Sequence, residues 1–145
     1  MSVPEVYYLF VYGSLRSGFK SPAYDYISQY FDLVSDGKVK GELYDMGDYP
    51  AAIPTQAENW INGELYIARN KNEFGYAIGQ LDDYEGVLVE SHERQLYRRE
   101  LASVSTNNQE VVAWIYWFNG DTSGRRRILS GDIIEYVKRG SGKAE

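Results

Sequence analysis

Asn72 to Glu85 carries the clearest helical pattern in a chain that otherwise reads as short strand-like runs separated by glycine turns. Phe74, Ala77, Ile78 and Leu81 recur at the spacing of one helix face. Gly86 stands where a left-handed cap would end the helix. Gly75 and Gly79 lower helix propensity and would let the helix sit close against a strand. A second, shorter helix fits Pro22 to Phe31, with Tyr26, Ile27 and Tyr30 as packing residues and Ser21-Pro22 as its entrance. Strands are expected at Tyr7–Val11, Lys38–Asp45, Trp60–Ala68, Gln95–Ser105 and Glu110–Phe118, and a final short strand or turn around 131–137.

Two details refine this outline. Pro50 and Pro54 confine the segment between them to an irregular stretch or a sheet edge. Gly63-Glu64-Leu65-Tyr66 echoes Gly41-Glu42-Leu43-Tyr44, and in both the glycine and leucine share one face while the glutamate and tyrosine share the other. Many strands with two helices imply an α+β fold, a curved mixed sheet or small barrel with helices packed on it. One domain over 1–138 is expected, with 139–145 a polar, glycine-rich flexible tail.

Composition narrows the chemistry. A length of 145 residues with 43% hydrophobic residues supports one folded core. The net charge of −6 points away from nucleic acid, and Arg125-Arg126-Arg127 reads as a solvated basic turn. Cysteine is absent, which removes disulfides, thiolate metal sites and a cysteine nucleophile and is compatible with a cytoplasmic protein. The single histidine, His92, is a poor basis for a zinc site or a serine triad. No run approaches a membrane span, and Val6–Val11 is too short and lacks the basic leader of a secretory signal. Neither a membrane partner, a metal nor a cofactor is expected. The 14 tyrosines suit a barrel core as well as a polar pocket.

Two features could carry chemistry. With Ile78 set at zero, the helical rotation of about 100° per residue puts Glu85 about 20° from it, near the middle of the apolar face, leaves Asp82 at the margin and turns Asp83 away. An inward carboxylate must be paired, hydrogen-bonded or raised in pKa. A raised one suits a general base, whereas a fraying last turn would let Glu85 reach solvent and Arg98 or Arg99 could hold it in a bridge. The second feature is the turn Tyr12–Gly18 after the first strand, whose glycines and serines could aim backbone N–H groups at an anion. It is neither a Walker-type phosphate loop nor a dinucleotide fingerprint.

These pieces occur in an order that resembles the gamma-glutamylcyclotransferase-like superfamily, in particular its short gamma-glutamylamine cyclotransferase and AIG2-like members. The matching motifs are Val11-Tyr12-Gly13-Ser14-Leu15-Arg16 with Gly18, Gly41-Glu42-Leu43-Tyr44 followed by Tyr49-Pro50-Ala51, and Gly63-Glu64-Leu65-Tyr66. Leu81-Asp82-Asp83-Tyr84-Glu85-Gly86 follows, then Tyr97-Arg98-Arg99, Ala113-Trp114-Ile115-Tyr116 and Gly131-Asp132. The resemblance implies a small mixed beta barrel with packed helices. It makes Glu85 the catalytic acid/base and the backbone of Tyr12, Gly13, Ser14 and Leu15 the cradle for a glutamyl group, with Tyr49, Pro50 and Tyr116 bordering the pocket. It gives Arg16, Tyr97 and Arg99 structural or rim roles.

The implied reaction is metal-independent. The alpha-amine of a gamma-glutamyl substrate attacks its own gamma-carbonyl and releases 5-oxoproline and an amine. The implied partner is a small-molecule gamma-glutamyl compound, and the chain would be a monomer or homodimer. A ligand-binding protein of the same fold is the alternative. Two rivals rank lower: a glycosidase pairing Glu85 with Glu42 or Glu64, and an interaction module using the aromatic strand Trp114–Phe118.

Overall fold

Strand alternation sorts the apolar residues of this chain into two cores. The computed structural model describes residues 6–13, 22–47, 50–85, 97–107 and 109–137, without the side chains of 22–24, 84 and 85. In chain order the elements are β1 (Tyr8–Val11), α1 (Pro22–Tyr30), β2 (Phe31–Asp45), β3 (Pro50–Pro54), β4 (Trp60–Ala68), a 3-10 turn at Lys71–Glu73, α2 (Phe74–Glu85), β5 (Tyr97–Ser105), β6 (Glu110–Phe118) and β7 (Arg126–Ile128).

Hydrogen-bonded neighbours run β2–β4–β1–β6–β5, and β5 meets β2 again at Ser105–Lys38. These five strands close a mixed barrel. The β1–β6 pair, with Leu9 opposite Trp114, is parallel, and the other pairs are antiparallel. Closure gives each barrel strand a partner on both sides, which leaves no open edge in the ring. Past Lys40, β2 leaves the β4 ladder and pairs with β3 along one side and β7 along the other. β3 is the edge, as Pro50 and Pro54 require, because proline has no N–H for a second ladder.

Phe10, Val39, Ile61, Leu65, Val104, Ala113, Ile115 and Trp117 fill the barrel interior. The alternate residues Leu9, Val11, Tyr66, Tyr116 and Phe118 face outward and pack with Ile27 of α1 and Ala77, Ile78 and Leu81 of α2. The shared Gly-Glu-Leu-Tyr pattern has a steric reason on β4. A Cβ at Gly63 would overlap the Val11 carbonyl and stand 2.6 Å from Cζ of Phe10.

The structure corrects several expectations. β2 begins at Phe31 rather than Lys38, and its alternation is broken by a register shift between Leu33 and Ser35 beside the exposed Leu33 and Val34. Residues 133–137 are helical rather than strand. Asp132 starts them by accepting from the Ile134 and Glu135 N–H groups at 3.0 and 3.2 Å. Gly75 and Gly79 face open space, so neither brings α2 against a strand. Arg126 and Arg127 belong to β7, and Arg127 Nη1 lies 3.9 Å from Glu42. The tail 139–145, Gly86 and His92 lie outside the described residues.

Candidate active site

The exit of β1 is held from two sides. Tyr12 turns its ring into the barrel core, and its hydroxyl donates to the main-chain carbonyl of Tyr116 on β6. Any part Tyr12 plays in a cradle therefore falls to its backbone. Gly13 follows, and a Cβ there would stand 3.3 Å from Cγ of Pro50, so Gly13 lies against the start of β3. Tyr97, at the start of β5, donates to the Pro50 carbonyl at 3.0 Å. Four of the residues singled out from sequence as site or rim thus form two hydrogen-bonded pairs, Tyr12 with Tyr116 and Tyr97 with Pro50, and Gly13 stands between Tyr12 and Pro50. Ser14, Leu15, Arg16 and Tyr49 lie outside the described residues.

The last turns of α2 meet the same group. Asp82 is 4% exposed, which corrects its placement at the helix margin. Its Oδ1 accepts from Arg99 Nε at 2.7 Å and from the Tyr116 hydroxyl at 2.8 Å, and its Oδ2 accepts from Arg99 Nη2 at 2.9 Å. The two parallel guanidinium bonds form the fork-to-carboxylate geometry in which a buried charge is best compensated. Arg99 is flattened over Trp114, 4.4 Å from the ring centroid. Sequence periodicity missed Asp82 because its burial comes from β5 and β6 rather than from its own helix. Glu85 is the final residue of α2, three positions on, and its side chain lies outside the described residues.

A second buried carboxylate occupies the same outer barrel face. Glu64 of β4 sits opposite Val11 in the β1–β4 ladder, is 6% exposed, and accepts from the Tyr66 hydroxyl at 2.9 Å. Alternation assigned Glu64 to the face opposite Leu65, but it could not reveal that helices cover that face too. Glu42, its counterpart in the echo, is bound by the Tyr44 hydroxyl at 3.0 Å and Asn59 Nδ2 at 3.1 Å. Tyr26 of α1 packs against this core with its hydroxyl buried and without a hydrogen-bond partner among the described residues. Burial, and then the neighbouring Tyr30 and Tyr76, push its pKa up to about 12. Among the described residues, no three histidine, cysteine, aspartate or glutamate side chains are grouped to hold a metal. Among the same residues, no helix is long and apolar enough to cross a membrane.

The fold and the ordered motifs define a class. A family model for gamma-glutamyl cyclotransferase, AIG2-like proteins matches residues 9–135, and the chain belongs to that family. A Methanocaldococcus jannaschii relative, MJ1514, is 30% identical over 133 residues, covering 89% of this chain and 97% of its own, and carries a provisional gamma-glutamylcyclotransferase name. Among solved structures, Bacillus subtilis YkqA superposes with a TM-score of 0.66 at 25% identity. That match covers 92% of this chain but only 42% of YkqA. Escherichia coli YtfP gives a TM-score of 0.61 at 27% identity over 90% of this chain and 98% of its own. A mouse AIG2-like protein shares the fold, with a TM-score of 0.58 at 19% identity over 78% of this chain and 77% of its own.

Proposed function

We propose that this protein is a cyclotransferase that releases 5-oxoproline and a free amine from a gamma-glutamyl amine or peptide, with Glu85 as general acid/base. Family membership over residues 9–135 and the name of the M. jannaschii relative support the reaction class. The observation that carries the reading is Tyr116. Its carbonyl accepts from Tyr12 at the exit of β1, and its hydroxyl binds Asp82, one helical turn before Glu85. The two sequence features with chemical potential, the β1 turn and the end of α2, thus share one anchoring residue.

In this reading the main-chain N–H groups of the β1 turn hold the glutamyl carboxylate. The substrate's alpha-nitrogen forms a bond to the carbonyl carbon of its own gamma-carboxamide, the bond from that carbon to the leaving nitrogen breaks, and a proton passes from the first nitrogen to the second. Glu85 accepts that proton and delivers it. Because the nucleophile is part of the substrate, the site's main task is to hold the glutamyl chain in a cyclising shape. The test is 5-oxoproline release from a panel of gamma-glutamyl amines and dipeptides by the wild-type protein and Glu85→Gln. Turnover lost in the variant supports the reading. Turnover that survives removes Glu85, and binding without turnover in the wild type points instead to a ligand-binding protein of this fold.

A further inference from the structure

We infer that Asp82, Arg99 and Tyr116 form a positioning device that fixes the last turn of α2, and with it Glu85, relative to the exit of β1. The role given to Glu85 rests on the reading above, but the coupling between the two elements is carried by the geometry alone.

A helix C-terminus is ordinarily the first part of a helix to loosen, because its last carbonyls lack intrahelical partners. Here the final turn carries a carboxylate that receives three hydrogen bonds from two different barrel strands. Arg99 and Tyr116 are register partners across the β5–β6 ladder, so both donors rise from one rung of the sheet. Arg99 is steadied by its stack on Trp114. Trp114 is in turn fixed by its indole N–H, which donates to the Val6 carbonyl at 2.9 Å.

Tyr116 completes the link, because the residue whose hydroxyl holds Asp82 also accepts, through its carbonyl, the hydroxyl of Tyr12. A shift of the β1 exit is therefore transmitted to the helix end through a single residue. In an ideal α-helix, residue 85 lies about 4.5 Å along the axis from residue 82, so the anchored turn is the one that ends at Glu85. A purely stabilising ion pair could sit anywhere along the twelve residues of α2. This one occupies the turn next to the proposed acid/base residue and uses the strand that touches Tyr12.

The experiment uses the full chain in four forms: wild type, Tyr116→Phe, Glu85→Gln and the double variant. Tyr116→Phe keeps the ring and the carbonyl that binds Tyr12, and removes only the hydroxyl on Asp82. The expected result is a kcat per folded molecule lowered between about tenfold and a hundredfold with KM little changed, since misplacement of a reacting group costs rate rather than binding. In the Glu85→Gln background the same change should have no further effect, because both act through one group. Equal losses in the two backgrounds would overturn the proposal. Amide hydrogen exchange provides a reading that needs no turnover. Tyr116→Phe and Asp82→Asn should each raise exchange at residues 82–85 while the amides of β4 stay protected. Unchanged protection at 82–85 in both variants would also overturn it. Absence of turnover in the wild type with the exchange effect intact would instead sink the proposed function and leave the coupling standing.

Discussion

Tyr116 and Asp82, 34 positions apart in sequence, are joined by a 2.8 Å hydroxyl-to-carboxylate hydrogen bond in the buried layer between barrel and helix. The carboxylate is shared with Arg99, so three residues from α2, β5 and β6 meet at one point. Stability and the geometry of the proposed site are therefore linked there.

Removing the cation from this cluster should be costly. Arg99→Leu leaves the Asp82 carboxylate buried without its counter-charge, and breaking a buried pair from one side typically costs about 3–5 kcal/mol. Arg99 is partly exposed, so the lower end, about 3 kcal/mol, is expected. Denaturant unfolding should show a lower midpoint with an unchanged slope. The double change Arg99→Leu with Asp82→Leu should recover part of the loss, because it removes the stranded charge.

Tyr26→Phe should stabilise the protein. Its hydroxyl is buried without a hydrogen-bond partner among the described residues, and an unmet polar group of this kind costs about 1–3 kcal/mol. A gain of about 1 kcal/mol corresponds to a rise in Tm of roughly 2–4 °C for a chain of this size. Thermal unfolding of the variant checks it, and a fall in Tm would mean that the hydroxyl finds a partner in solution. The tyrosinate absorbance of the wild type should also contain a group titrating near the value of about 12 that burial gives Tyr26, absent from the variant.

Glycine substitutions should divide by location. Gly75→Ala and Gly79→Ala place a methyl group in open space on a helix, and each should add about 0.5–1 kcal/mol. Gly63→Ala drives a Cβ into the Val11 carbonyl and the Phe10 ring, and overpacking of that kind costs about 1–3 kcal/mol or more. Equilibrium unfolding of the three variants should give opposite signs for the helix and barrel positions.

The Asp45–Tyr136 hydrogen bond of 2.6 Å predicts a pH window. The Tyr136 hydroxyl, followed by the Gly47 N–H, lowers the Asp45 pKa below its usual 3.8. The same hydrogen bond, followed by burial, raises that of Tyr136 above 10.0. A lowered carboxyl pKa contributes stability above the unfolded value and loses it as pH falls through the folded value. A raised phenol pKa contributes below the unfolded value and loses it as pH rises through the folded value. Tyr136→Phe should thus lower Tm by a few degrees between about pH 5 and pH 9, and the difference should shrink at both extremes. A Tm difference that stays constant from pH 2 to pH 11 would rule out the hydrogen bond as its source.

Much of the architecture was legible because it rests on local period. The apolar face of α2, the edge status of Pro50–Pro54 and the β5–β6 hairpin each follow from spacing within a few residues. The first half of β2 shows no clean alternation, because Leu33 and Val34 are both exposed and the register shifts between Leu33 and Ser35, and only its pairing with β4 shows it to be a barrel strand. The helix at 133–137 has no local signature in the sequence, because it depends on a cap by Asp132 whose role is visible only in its hydrogen bonds.

The sequence by itself determined the face that each strand presents, the helix that ends at Glu85, and the ordered motifs of the family. It did so because alternation and helical rotation are properties of neighbouring residues. Tertiary structure decided which carboxylates are buried and what holds them. Asp82 lay at the helix margin by rotation alone and is buried with three hydrogen bonds, because Arg99 and Tyr116 reach it from a sheet rung that lies beyond it in the chain. Glu64 likewise is buried on the outer wall of the barrel, where its carboxylate accepts from the Tyr66 hydroxyl. Burial of a charge depends on partners brought together across the chain, and no local pattern encodes which partners those will be.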